Sequence, residues 1–200
     1  MKKTLMVQAA AVIGSALFAF SVRADTRKLQ AAPSAYNPGN APVQITATWT
    51  SDVQPTDGPS DHPLILKISD TVPFPPGAAA TAAVMPVEDL RVTHLAFDHR
   101  IGTHCTNGSP RWDVETTDGS VYAFGCASGV RQVDLPAAGW ERITFSCTDV
   151  QVLKGTHGSC PLGSIQTVAR LQIVHDEAGS TTLDNLDVNW VVMSGPASRK

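Results

Sequence analysis

Apolar and polar residues alternate along most of this chain, which is the pattern of β-strands with one face buried. The alternation begins at residues 43–49 and is clearest at 112–116, where Trp112, Val114 and Thr116 would share one face. Residues 64–68 form a short apolar run between breakers, typical of a buried strand. Outside the first 24 residues no segment keeps an apolar period of 3.6 residues. The pattern therefore predicts strands and no long helix.

Strand signals become dense beyond residue 90. Asp118-Gly119 stands between two alternating runs and is a strong signal for a β-hairpin. Stretches with proline and glycine at 50–62 and 69–80 predict long loops. Seven to nine strands at this spacing predict an all-β protein, an antiparallel two-sheet β-sandwich with a jelly-roll-like arrangement. The further predicted strands are 90–99, 121–124, 140–145, 168–174 and 183–192.

The first 24 residues have the layout of a secretory signal peptide. Lys2 and Lys3 precede an uncharged run at 5–20, and cleavage is expected before Asp25. A membrane anchor is the alternative, but the run is shorter than the roughly 20 apolar residues that span a bilayer. The mature chain is therefore expected to be secreted or periplasmic, without a membrane span. The predicted divisions are a signal peptide at 1–24, a flexible lead-in at 25–42, a sandwich domain at 43–193 and a C-terminal tail at 194–200.

Net charge argues against one class of partner. The full chain has 15 basic and 18 acidic residues, and loss of Lys2, Lys3 and Arg23 with the signal peptide leaves 12 basic residues, a charge of −6. A protein that binds nucleic acid through phosphate contacts needs positive charge on the binding surface. Nucleic acid is therefore not a predicted partner.

All four cysteines follow the export signal: Cys105, Cys126, Cys147 and Cys160. In an oxidising compartment an even count predicts two disulfides. Three pairings are open, and Cys105–Cys126 with Cys147–Cys160 is favoured because each closes a short loop. A zinc site built from four cysteines is disfavoured, since the sequence contains no C-x-x-C pair.

Three stretches in the second half of the chain resemble strands of jelly-roll modules. Residues 138–145, Ala-Gly-Trp-Glu-Arg-Ile-Thr-Phe, are similar to a "Gly-Trp-x-Arg-Val-x-Phe" strand. Residues 173–179 followed by 182–188 are similar to a closing "Leu-Asp-Asn-Val-x-Val" strand. Residues 95–100 resemble the strand that opens the second half of such folds. Over about residues 90–193 the chain resembles the galactose-binding-like and carbohydrate-binding-module sandwiches, and small exported bacterial proteins of that shape without assigned activity. The resemblance implies the fold more strongly than a ligand, because one such shell hosts many functions.

The same resemblance implies a metal position. Many of these folds hold a structural calcium ion bound partly by an acid on the last strand, and Asp184 matches that acid. Calcium takes six to eight oxygen ligands, and no matching acid-rich motif lies near Val43. The favoured alternative is that Asp184 and Asn185 cap a turn or bond the backbone of a neighbouring strand. Apart from this calcium, no cofactor is predicted.

The predicted hairpin carries the candidate ligand-binding residues. An outward-facing Trp112 beside Tyr122 would stack against a sugar ring, with Arg111, Asp113 and Glu115 at the margin. If Trp112 faces inward instead, it belongs to the core, which is the commoner place for a tryptophan between charged neighbours in a strand. The remaining tryptophans fit the core faces of their strands: Trp49, Trp140 and Trp190.

The signals for catalysis are weak. Asp113 and Glu115 share a strand face, and glycoside hydrolysis uses two carboxylates, yet charged side chains are ordinary on a solvated face. The six histidines lack the H-E-x-x-H spacing of a zinc hydrolase. The leading hypothesis is an exported, non-catalytic binding module for carbohydrate or another cell-surface ligand. The alternatives are a structural or interaction protein of the envelope or extracellular matrix, and a small glycoside hydrolase.

Overall fold

The computed structural model describes residues 28–40, 42–51, 53, 62–69, 75–106, 108–155, 160–164 and 166–195. The predicted signal peptide lies outside the described residues, as does the end of the predicted tail. Within the described part of the chain, no helix has the length and apolar character needed to cross a bilayer.

The described residues form thirteen strands, and short 3-10 turns are their only helical segments. The alternation at 112–116 becomes a strand whose even-numbered residues are buried, as period two requires. The strands are β1 (Gln30–Tyr36), β2 (Ile45–Trp49), β3 (Leu64–Ile68), β4 (Ala79–Met85), β5 (Leu95–Arg100), β6 (Arg111–Thr116), β7 (Val121–Gly125), β8 (Val130–Gln132), β9 (Trp140–Phe145), β10 (Val150–Lys154), β11 (Val168–His175), β12 (Gly179–Val188) and β13 (Val191–Met193).

The strands pair into two antiparallel sheets. Sheet I has the order β1-β4-β11-β6-β7-β10, and sheet II has the order β2-β3-β12-β5-β9-β8 with β13 added beside β12. Their inner faces pack together: Trp112 and Phe124 of sheet I and Phe97 and Ile143 of sheet II belong to one buried cluster. The predicted all-β, two-sheet sandwich is confirmed. Each such large side chain, when fully buried, contributes about 1.5–3 kcal/mol.

Two strands, β1 and β4, were not predicted from the sequence. The lead-in prediction is wrong for β1, and the loop prediction at 69–80 is wrong where β4 begins at Ala79. β4 is rich in alanine, which has low β-propensity, but Ala80 and Ala82 fill narrow space in the core with no exposed area. β1 contains Pro33, which an edge strand tolerates because one of its sides needs no ladder hydrogen bonds. Pairing with neighbouring strands therefore overrides weak local propensity.

Both predicted disulfides are present, Cys105–Cys126 and Cys147–Cys160. Cys105 follows β5 of sheet II and Cys126 follows β7 of sheet I, so the first bridge joins the two sheets. The second does the same from the end of β9. Because β5 and β9 are antiparallel neighbours, their C-terminal ends lie at opposite ends of the sandwich. The two disulfides therefore hold the sheets together at both ends.

Candidate functional site

Trp112 and Tyr122 are fully buried. They stand on the same side of the β6–β7 pair as Val114 and Phe124, which face the core. The prediction that they form a surface platform is wrong, because neither ring reaches solvent. Their polar atoms are also isolated: Trp112 Nε1 and the Tyr122 hydroxyl have no hydrogen-bond partner among the described residues. The two rings serve packing.

The other three predicted ligand-binding residues share the opposite face of β6, the outer face of sheet I. Arg111, Asp113 and Glu115 are each half-buried. Antiparallel register places Asp113 between Gln172 of β11 and Ala123 of β7, and Gln151 of β10 follows Ala123. Residues directly opposite one another on neighbouring strands have their side chains on one face. An amide, a carboxylate and a second amide therefore lie in one row across four strands.

Arg111 is held by two carboxylates on this face. Its Nε donates to Asp113 Oδ1 at 2.8 Å, and its Nη1 donates to Asp176 Oδ1 at 2.7 Å. These hydrogen bonds and charges raise the pKa of Arg111 although burial opposes them, so the guanidinium stays charged. Burial raises the pKa of Asp113, with Arg111 acting in the opposite direction. The network fixes the orientation of three polar side chains that remain in contact with solvent.

A groove of about 410 Å³ lies beside this network. Small residues line it: Ala123 and Gly125 of β7, and Gly108, whose backbone lies close to Gly125. A Cβ atom at Gly125 would lie 2.7 Å from the Gly108 Cα, so this approach requires glycine. Gln151 adds a side-chain amide to the groove. Because Arg111 is opposite Gly125 and Asp113 is opposite Ala123, the ion network borders the groove.

Tyr36 adds an aromatic ring to the outer face of sheet I, and its side chain is 61% exposed. It is opposite Ala79 of β4, whose neighbours Ala78 and Ala80 face the core. Two strand spacings, about 10 Å, separate β1 from β11, and Asp176 directly follows β11. Sequence reasoning missed Tyr36 because residues 25–42 carry no strong strand signal. Once β1 is known to be a strand, the alternation of its side chains shows which face Tyr36 is on.

The acid pair proposed for hydrolysis is occupied by other partners. Asp113 binds Arg111, and Glu115 forms an ion pair with Arg170 at 2.9 Å. Glycoside hydrolysis needs one carboxyl free to give its proton and another to act as nucleophile or base. Each carboxylate here faces a guanidinium.

One serine–histidine pair has the contacts of a nucleophile and its base. Ser109 Oγ lies 2.9 Å from His175 Nδ1, and His175 Nε2 lies 3.2 Å from the Gly179 carbonyl oxygen. Neither Ser109 nor His175 has any exposed area, so no substrate can reach the hydroxyl. Burial lowers the pKa of His175, and the neutral ring bridges two backbone segments. This pair is structural.

Metal-ligand geometry among the described residues brings together only His99, Cys105 and Cys126, and the two cysteines form a disulfide. Asp184, the residue matched to a calcium ligand, is buried opposite Asp98 on the outer face of sheet II. Its Oδ1 accepts a hydrogen bond from the backbone N–H of Asn185 at 2.9 Å. That contact agrees with the capping alternative. Calcium at Asp184 stays a prediction.

The neighbours of Asp184 form a second ion network. Arg142 Nη1 donates to Asp98 Oδ1 at 3.0 Å, and Arg142 Nη2 binds Asp187 Oδ2. Asn185 Nδ2 donates to Asp98 Oδ2 at 2.9 Å. Asp98, Asp184 and Asp187 have 3% exposed area or less, so the carboxylates of this network are closed to ligands. The Arg142 side chain is 22% exposed.

Sequence comparison adds no family assignment: no protein-family model matches the chain, and no curated protein matches it. Two solved structures are similar in shape. The carbohydrate-binding module CtCBM11 is 9% identical, with a TM-score of 0.47 over 78% of this chain and 87% of that one. A beta-1,2-glucanase from Parabacteroides distasonis is 13% identical, with a TM-score of 0.42 over 85% of this chain and 23% of that one. Both are too distant in sequence and shape to indicate a shared ligand.

Proposed function

We propose that this protein is an exported, non-catalytic binding domain for carbohydrate, and that its ligand lies on the outer face of sheet I. The observation that carries the proposal is the fixed Asp113–Arg111–Asp176 network beside an open groove. Gln172 and Gln151 extend the polar row, and Tyr36 gives an exposed ring on the same face. Two disulfides support export, because such bonds persist in oxidising compartments.

Carbohydrate fits this face for chemical reasons. Each sugar hydroxyl is both donor and acceptor, so carboxylates, amides and a guanidinium in one row across the sheet can bond hydroxyls along a glycan chain. The C–H face of a pyranose packs on an aromatic ring such as Tyr36. Pre-oriented side chains also lose less conformational entropy when a ligand binds. Because Asp113, Glu115 and Asp176 outnumber the two arginines, we expect neutral sugars to bind better than uronic acids.

Retention on polysaccharides tests the proposal. The mature, disulfide-bonded chain is applied to insoluble cellulose, chitin and xylan, and its mobility is followed in gels containing soluble galactomannan, laminarin or polygalacturonate. We expect binding to at least one neutral polysaccharide and none to polygalacturonate. No binding by a folded sample to any of them would falsify the proposal.

Matched variants locate the site. Tyr36→Ala and Asp113→Ala should each weaken the affinity by about tenfold, equivalent to about 1.4 kcal/mol. Tyr36→Phe keeps the ring and should retain most of the affinity. Lys67→Ala, an exposed change on the outer face of sheet II, should have no effect. Equal affinity for all four variants would place the ligand elsewhere.

A hollow at one edge of the sandwich favours a second candidate function, an interaction protein of the cell envelope. It measures about 530 Å³ and is lined mainly by apolar side chains, including Leu29, Pro33, Trp49, Val191 and Met193. Chemical crosslinking in the native host distinguishes the two functions. A specific crosslinked protein partner together with no polysaccharide binding would favour this alternative.

A further inference from the structure

The turn between β12 and β13 carries an exposed tryptophan that the period-two pattern predicted to be in the core. The chain reverses over Asn189 and Trp190, whose φ angles are 54° and 67°. Two successive positive φ values define the two-residue type I′ hairpin turn, in which glycine commonly takes the second position. The turn ends the alternation after Val188, and the Trp190 side chain is 74% exposed. The core prediction for Trp190 is therefore wrong.

Asn189 fixes this turn to the segment before β5. Its side-chain Oδ1 accepts hydrogen bonds from the Thr93 N–H at 2.6 Å and the His94 N–H at 3.2 Å. Its side-chain Nδ2 donates to the Arg91 carbonyl oxygen at 2.6 Å, and its own N–H donates to the His94 carbonyl oxygen at 3.0 Å. The turn thus has a defined position although it lies at the surface.

His94 supports one face of the indole. The two rings stack with centroids 3.7 Å apart and an interplanar angle of 10°. His94 is itself buried, and its Nε2 lies 3.4 Å from Asp187 Oδ2. The Trp190 ring is therefore held flat against a fixed support. Its exposed area makes its second face available to a ligand.

A large side chain at positive φ is disfavoured, and the conformation persists because the contacts of Asn189 and His94 determine it. The result is one rigid ring among polar groups such as Thr93 and Arg91, both exposed. One ring matches the C–H face of a single sugar. The surface that one exposed ring offers is far smaller than the roughly 800 Å² per partner that a stable protein interface buries.

We propose that Trp190 is a second carbohydrate contact, which stacks on the C–H face of a pyranose ring and acts independently of the outer face of sheet I. This inference rests on the proposed function, since it assumes that the ligand is a glycan. Trp190 belongs to sheet II, whereas Tyr36 and Asp113 lie on sheet I. Two separate contacts on one chain raise the affinity for a long polysaccharide through effective concentration.

Fluorescence quenching reports on this ring directly. Of the four tryptophans, Trp112 and Trp140 are buried, Trp49 is half-buried and Trp190 is exposed. Acrylamide should therefore quench mainly Trp190, and the polysaccharide that retains the wild-type chain should reduce this quenching. In Trp190→Gly the quenching should be low and unaffected by polysaccharide. Glycine suits the positive φ, so this variant should fold, which its melting temperature checks.

Affinity measurements separate the two sites. We expect Trp190→Gly to weaken binding to the retained polysaccharide by about tenfold, and Trp190→Phe, which keeps a ring, to weaken it less. Protection of Trp190 from acrylamide should persist in Tyr36→Ala/Asp113→Ala. If the wild-type chain binds but Trp190→Gly binds equally and no protection appears, this inference is overturned while the sheet I site stands. If the wild-type chain binds no polysaccharide, both proposals fail.

Discussion

On the outer face of sheet I, Arg111 bridges Asp113 and Asp176, and on the outer face of sheet II, Arg142 bridges Asp98 and Asp187. The carboxylate side chains of the first network are 12% and 35% exposed, whereas those of the second are 4% and 2% exposed. The arginine side chains are similarly exposed, at 16% and 22%, so the two networks differ in their carboxylates. Only the carboxylates of the first network can exchange contacts with water for contacts with a ligand. The buried carboxylates of the second network contribute to the stability of the fold. Burial therefore decides which network is a candidate site.

The largest expected change in the free energy of unfolding comes from removing the arginine of each network. Arg142→Ala leaves Asp98 and Asp187 buried without their cation and should lower the free energy of unfolding by about 3–5 kcal/mol. Arg111→Ala, the matched change on sheet I, should cost about 1–2 kcal/mol because water reaches its aspartates. Urea unfolding measures both. Equal losses would show that the two networks do not differ in role.

The two sheets keep their relative position partly through the disulfides, which join them at both ends of the sandwich. Replacing Cys105 and Cys126 by alanine should lower the free energy of unfolding by about 3 kcal/mol, because the unfolded chain gains conformational entropy. Replacing Cys147 and Cys160 should cost slightly less, since that bridge closes a shorter loop, with a separation of 13 instead of 21 residues. A loss under about 1 kcal/mol for both pairs would contradict this account.

Lowering the pH should destabilise the fold through its buried histidines. Burial lowers the pKa of His94, His99 and His175 below the ordinary value of 6.5. The unfolded chain therefore binds these protons first, and stability that is complete above pH 6.5 is lost as the pH falls below it. Each such histidine contributes a slope of at most about 1.4 kcal/mol per pH unit, and only between its folded-state and unfolded-state pKa values. Urea unfolding at pH 7.5, 6.5 and 5.5 measures this trend, and greater stability at pH 5.5 would refute it.

The smallest effect is expected at the most exposed ion pair of sheet I. Arg170, which pairs with Glu115, has a side chain that is 57% exposed. Arg170→Ala should change the free energy of unfolding by about 0.2–1 kcal/mol, and less in high salt, because water and ions screen the pair. Urea unfolding at 0.05 and 1 M NaCl measures it. A loss as large as that of Arg142→Ala would remove the distinction between open and closed networks.

Several features could be predicted from the sequence because their causes are local. Alternation at 112–116 predicted a strand, and Asp118-Gly119 predicted the hairpin that joins β6 to β7. The cysteine spacing favoured the pairing that the structure contains. β1 and β4 were missed because alanine and proline give weak strand signals. Their pairing depends on strands distant in the chain.

The candidate site was predicted in part. Arg111, Asp113 and Glu115 do lie together on one outer face. Trp112 and Tyr122 do not join them, because both face the core. Alternation places neighbouring residues on opposite faces of a strand, but it does not show which face is inside. Tyr36 comes to this face only through the pairing of β1 with β4. Asp176 comes to it because it directly follows β11, which pairs with β6, and there it accepts a hydrogen bond from Arg111.

The sequence by itself determined that this chain folds into β-strands and which residues of many strands share a face, and it favoured the cysteine pairing that the structure contains. Those properties depend on spacing along the chain. Only the tertiary structure decided that Trp112 is buried and Trp190 exposed, and that one arginine–aspartate network is open while the other is closed. These outcomes depend on strand partners distant in sequence, on backbone angles at one turn, and on how deeply each carboxylate is buried.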